Sequence, residues 1–196
     1  MSKPRSLAQE SAEDIFFGQI AIIWARWFLI AAGAIIALWS ADSLPQIVVS
    51  VVTVIALMTI NFFTHGRYLL ERPANKLLLI ATNLIDVAII TLIVMVWPGQ
   101  TGLNSHFFIL YYPLLFAFAL VFPPGITAIF SIFTLGSYTA ASFAATDLNL
   151  LFSITGFELL ATRLITLGAM GGLGTFYYRR QRDSIRAAAR ILPAVK

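Results

Sequence analysis

Apolar residues in this chain run in long blocks separated by short polar stretches, and no other feature restricts its folding as strongly. A helix crossing a bilayer needs about 20 consecutive, mostly apolar residues, because lipid offers no partner for an unpaired backbone N–H or C=O. Five blocks, at residues 15–39, 46–63, 77–97, 107–122 and 154–178, meet or approach that length, and another runs from the Pro123-Pro124-Gly125 hairpin to Ala145. Strands of a membrane barrel would alternate polar and apolar residues, and the blocks do not. With 59% hydrophobic and 11% charged residues, the chain also lacks the roughly 25% charge of a soluble domain. The prediction is an all-α, polytopic membrane bundle of six transmembrane helices, with a polar tail over 1–14, a membrane domain over 15–178 and a basic tail over 179–196.

The distribution of cations predicts the orientation. Lys3 and Arg5 lie before the first span, Arg67, Arg72 and Lys76 between the second and third, and Arg179, Arg180, Arg182, Arg186, Arg190 and Lys196 after the sixth. The alternate loops carry no Lys or Arg, so the positive-inside rule puts both termini in the cytoplasm. The pI near 9.7 is thereby explained without a nucleic-acid partner. The fourth span is short, about 24 Å at the helical rise against a hydrocarbon core near 30 Å. A re-entrant hairpin of the fourth and fifth segments would leave the termini on the same side, but the length of the fifth favours true spanning.

Charges at membrane depth are costly and mark candidate sites. Asp86 lies mid-way along the third span, with Asn83 one turn earlier on the same face. Arg163 lies about 13.5 Å into the sixth span by helical rise. The similar depths predict an ion pair between Asp86 and Arg163, acting either as a packing pin or as part of a ligand, proton or ion site. Glu158 is five residues from Arg163, about 140° around the helix, so the two are not expected to pair. Arg26, between Trp24 and Trp27, is expected to snorkel to the cytoplasmic interface, with the tryptophans in the aromatic belt.

His65 and His106 fall at opposite ends of their spans, too far apart to clamp one haem, though either is a candidate single axial ligand. The sequence requires no cofactor and leaves its identity unknown. With no cysteine, disulfides and thiolate metal sites are excluded. Gly168 and Gly172 form a small-xxx-small pair, and Gly136, Ala140 and Ala144 offer a matching stripe on the fifth span, which predicts close packing of the two helices. No phosphate-binding loop, HExxH or GxSxG occurs, and the two halves show no matching broken helices of a transporter repeat. A membrane enzyme or a transporter is therefore not expected.

The run Gly99-Gln100-Thr101-Gly102-Leu103-Asn104-Ser105-His106-Phe107-Phe108, leading into Leu110-Tyr111-Tyr112-Pro113-Leu114, resembles the third-to-fourth span region of the six-helix N-terminal membrane domains of bacterial sensor histidine kinases. Arg26-Trp27 early in the first span, mid-span Asp86 and a last span entering an arginine-rich helix add to the likeness, which covers most of residues 20 to 190. The resemblance implies a non-catalytic sensory or signal-input module of a bacterial plasma membrane. In that family the last span leads through a helical linker to a transmitter, and the segment from Tyr178 to Leu192 looks like the start of such a linker. No transmitter is expected in this chain, which ends at Pro193-Ala194-Val195-Lys196. The alternative is an accessory structural subunit of a respiratory or photosynthetic complex. A third is an ion or small-solute pathway around Asp86, Asn83 and Arg163. Expected partners are membrane lipids and other membrane chains, as a homodimer or in a larger complex.

Overall fold

The computed structural model describes residues 7–70 and 76–191, with side-chain surroundings for 19–70 and 76–184. Lys3, Arg5, Arg72 and Lys196 lie outside the described residues, and Arg186 and Arg190 where only the backbone is described. Seven α-helices follow in order: α1 (Leu7–Trp39), α2 (Leu44–Leu69), α3 (Lys76–Val96), α4 (Tyr111–Val121), α5 (Pro124–Ala145), the single turn α6 (Leu148–Leu151) and α7 (Ile154–Ile191). Two 3₁₀ turns, Gly102–Asn104 and His106–Leu110, lead into α4. No strand occurs among the described residues.

Local chemistry sets several boundaries. Pro45 sits in the first turn of α2, where a missing N–H costs nothing, and Gln46 Oε1 accepts the N–H groups of Asp42 and Ser43 at 2.6 and 3.1 Å. Pro124 opens α5 in the same way. Asp147 caps α6 by accepting the Asn149 N–H at 2.7 Å. Gly102 has φ +56°, and a Cβ there would strike Thr146 Oγ1. That hydroxyl accepts the Leu103 N–H at 2.9 Å, and Thr101 Oγ1 donates to the Ala145 carbonyl at 2.8 Å. The loop before α4 is thus pinned to the end of α5 at a residue that has to be glycine.

Among the described residues five helices are long and apolar enough to cross a membrane: Gln19–Trp39, Leu44–Leu69, Lys76–Val96, Pro124–Ala145 and Ile154–Ser184. The fourth apolar segment, His106–Val121, is shorter. Its length has a physical reason in its position, since α4 packs against α1, α3, α5 and α7. Leu114, Leu115, Phe118 and Ala119 are buried. A helix surrounded by protein does not have to match the thickness of lipid. The Phe118 ring stacks on Phe122 at 4.2 Å and on Phe130 at 3.8 Å, forming an aromatic stack in the core where α4 ends and α5 begins. By contrast α2 packs substantially against α1 alone.

The glycines that bring helices together are not the ones expected. A Cβ at Gly171 would lie 2.9 Å from Leu115 Cδ2, and one at Gly174 would lie 3.0 Å from the Phe116 carbonyl oxygen. These two therefore allow α7 to approach α4 closely. Gly168, Gly172 and Gly136 have open space where a Cβ would go, and Gly136, Ala140 and Ala144 lie on an exposed face of α5. The expected packing of Gly168 and Gly172 against the Gly136–Ala140 stripe is corrected. The inward face of α7 follows Leu160, Leu167, Gly171 and Gly174, which recur at helical spacing. Elsewhere large apolar side chains such as Val52, Ile129, Ile132 and Ile165 are 60–72% exposed, as a lipid-facing surface requires.

Candidate functional site

Arg26 of α1 and Asp86 of α3 form a two-point ion pair, with Nη2 donating to Oδ1 at 2.8 Å and Nε 2.8 Å from Oδ2. Their side chains are only 3% and 6% exposed. Two expectations are corrected here: Arg26 does not snorkel to an interface, and the partner of Asp86 is not Arg163. The reason is geometric. Arg26 lies within the apolar part of α1, opposite mid-span Asp86, whose carboxylate meets the guanidinium through one hydrogen bond and a second close N–O approach. One guanidinium nitrogen, Nη1, is buried without a hydrogen-bond partner.

Asn83 lies one turn from Asp86 and is fully buried, donating from Nδ2 to the Leu79 carbonyl of its own helix at 2.7 Å. Its Oδ1 is buried and unpartnered. Asn83 thus adds local polarity next to the pair.

Arg163 belongs to a second centre built on aromatic residues. Its guanidinium lies 3.7 Å from the centre of the Phe108 ring, and Nη1 donates to the Tyr138 hydroxyl at 2.8 Å. Tyr138 packs edge-on against Tyr111, whose hydroxyl is 2.7 Å from Thr91 Oγ1. The Tyr112 hydroxyl is 2.7 Å from Thr166 Oγ1. This network ties α3, α4, α5 and α7 around a cation held by a π face and a phenol. Glu158 sits on the exposed face of α7.

A polar seam between α1 and α2 was not singled out by sequence. Gln19 Nε2 donates to the Thr64 carbonyl at 3.1 Å, and Thr64 Oγ1 donates to the Asn61 carbonyl at 2.9 Å. All three residues are buried. Gln19 interrupts an apolar block, and Asn61 and Thr64 lie three apart on one helical face, so a search for uncharged polar residues at helical spacing would have found them.

The two histidines sit on different elements. His65 is half-buried in the last turns of α2, and exposed His106 makes a 2.8 Å hydrogen bond through Nδ1 with Gln100 Oε1. Among the described residues no cluster of His, Asp and Glu could hold a metal ion. In the loop before α4, Leu103 and Phe107 are buried, and Trp97 meets Phe107 at 4.9 Å. No protein-family model matches the chain, and no curated protein or solved structure matches it either.

Proposed function

We propose that this chain is a non-catalytic sensory or signal-input module of a bacterial plasma membrane, crossing it six times with both termini in the cytoplasm and using α7 as its output. The observation that supports this most is the continuity of α7. It runs unbroken for 38 residues, about 57 Å at the helical rise, nearly twice the thickness of a hydrocarbon core. Its inner part is pressed against buried α4 through Gly171 and Gly174, and its far part carries Arg179, Arg180 and Arg182. A change in bundle packing would therefore be carried along a stiff element out of the membrane. The Arg26–Asp86 pair is the bistable element in this reading, because a closed buried ion pair has few intermediate states.

The test uses the cysteine-free background. Spin labels at Ser184→Cys on α7 and Thr59→Cys on α2, in the protein reconstituted in vesicles, report the distance between α7 and the flank of the bundle. With Asp86→Asn added, the signal reading expects a shifted distance distribution while helicity is retained. An unchanged distribution in a folded variant would sink it.

The alternative, an accessory subunit of a respiratory or photosynthetic complex, is favoured by one observation. Gly136, Ala140 and Ala144 expose small residues along α5, a surface that a partner helix can approach closely. Gentle extraction from the native membrane, followed by native-gel mass and an absorption spectrum, separates the readings. A large coloured complex favours the subunit; a small colourless species, alone or with a kinase, favours the sensor.

A further inference from the structure

A cavity of about 360 Å³ lies between α1, α2 and α3. It is long rather than round. On α1 its lining extends from Arg26 to Ala37, and on α3 from Asp86 to Trp97, about 16 Å along each helix at 1.5 Å per residue. The wall from α2 extends from Val49 to Leu57. One end is therefore the mid-span ion pair, and the other is the helix ends marked by Trp97. The slot has a structural cause: the long Arg26 side chain bridges from α1 to Asp86 while α1 and α3 make little backbone contact.

Its chemistry restricts the occupant. Apart from Arg26, Ser50, Thr53 and Asp86 the lining is apolar, and most of it is aliphatic. At the deep end the two charges are closed on each other, so although Arg26 Nη1 has no hydrogen-bond partner the pair carries no net charge to hold a charged head. Ser50 spends its hydroxyl on the Gln46 carbonyl at 2.7 Å. Its size restricts the occupant further. An apolar cavity of about 150 Å³ accommodates benzene, with six carbons, and on that scale this one takes about fourteen. A length near 16 Å is about half of a 30 Å hydrocarbon core. Because α2 packs substantially against α1 alone, the side between α2 and α3 is where the slot meets the bilayer.

We propose that this slot holds one acyl chain of a membrane phospholipid, entering from the Trp97 end with its terminal methyl against the Arg26–Asp86 pair. The headgroup stays at the membrane surface, and the chain fills the space that the bridging arginine leaves between α1 and α3. This inference does not depend on the signalling reading, only on the chain lying in a membrane.

The test is photolabelling of the whole protein in phosphatidylcholine vesicles doped with a phosphatidylcholine that carries a diazirine near the end of one acyl chain. Adducts are mapped by mass spectrometry. The expected result is labelling of the deep slot residues Leu29, Ile30 and Ile89, next to the ion pair, as well as the outward-facing Ile132 and Phe133. In Ala34→Trp, which fills the slot, the first group should fall to background and the second should persist. If that variant does not fold, Val54→Phe from the opposite wall serves the same purpose. Labelling of outward positions alone in the unmodified sequence would overturn the proposal, as would inner labelling that survives filling of the slot. Inner labelling by a diazirine-bearing free fatty acid, but not by the phospholipid, would also overturn it.

Discussion

At the residue scale, the decisive fact is which arginine meets Asp86. Matched depth made Arg163 look like the partner, but depth locates a residue along only one axis. Helix neighbours and rotation decide the rest, and they put Arg26 within 2.8 Å of the carboxylate. Breaking such a buried pair from one side strands a charge and typically costs about 3–5 kcal/mol, whereas apolar replacement of both partners is often neutral or better. Asp86→Leu is therefore expected to lower stability strongly, and Arg26→Met with Asp86→Leu to recover most of the loss, measured by thermal unfolding in detergent. A double-mutant cycle of Asp86 with Arg163 should show coupling near zero. At the second centre, Tyr138→Phe removes a hydrogen bond to a cation, worth about 1.5–3 kcal/mol, while leaving the ring packing against Tyr111 in place. Its expected result is a destabilisation of that order that does not add to Arg163→Leu in a cycle between the two.

At the element scale, α7 shows how an apolar helix conceals its packing face. Four glycines between positions 168 and 174 cover more than one side, and composition alone cannot choose among the registers. The structure chooses Gly171 and Gly174 because they face α4, where a Cβ at either would meet neighbouring side chains or backbone. Gly171→Val is expected to cost about 1–3 kcal/mol through overpacking. Gly172→Ala on the exposed face should leave stability unchanged or raise it by up to about 1 kcal/mol, the helix-propensity gain over glycine. Thermal unfolding of the two variants side by side makes the comparison, and equal effects would contradict this register. The same reasoning applies to α4, whose short apolar length was legible in the sequence while its central position was not.

At the scale of the whole molecule, the exposed apolar surface and the run of long apolar helices make this a multi-pass membrane protein. The proposed orientation, drawn from the placement of lysines and arginines, is open to a direct check. Single cysteines introduced at Asp147, between α5 and α7, and at Ser184, near the far end of α7, should react with a membrane-impermeant maleimide from opposite sides. Intact cells are expected to expose the first and inside-out vesicles the second. Labelling of both from one side would remove the six-span topology, including the return of α7 to the cytoplasm.

What the sequence determined by itself was everything that depends on length and polarity along the chain: all-helical secondary structure, the apolar segments, the turns at Pro45 and Pro124, and the costly polar residues in the spans. These are local or one-dimensional properties, because a bilayer forces each segment to satisfy its own backbone. Only the tertiary structure decided which faces meet. It joined Arg26 to Asp86, caged Arg163 with Phe108 and Tyr138, buried α4, left Gly168 and Gly172 without a close neighbour and left a slot beneath a bridging arginine. Those outcomes depend on helix rotation and neighbour identity, and a surface that is apolar on nearly every side leaves no amphipathic stripe from which to read them.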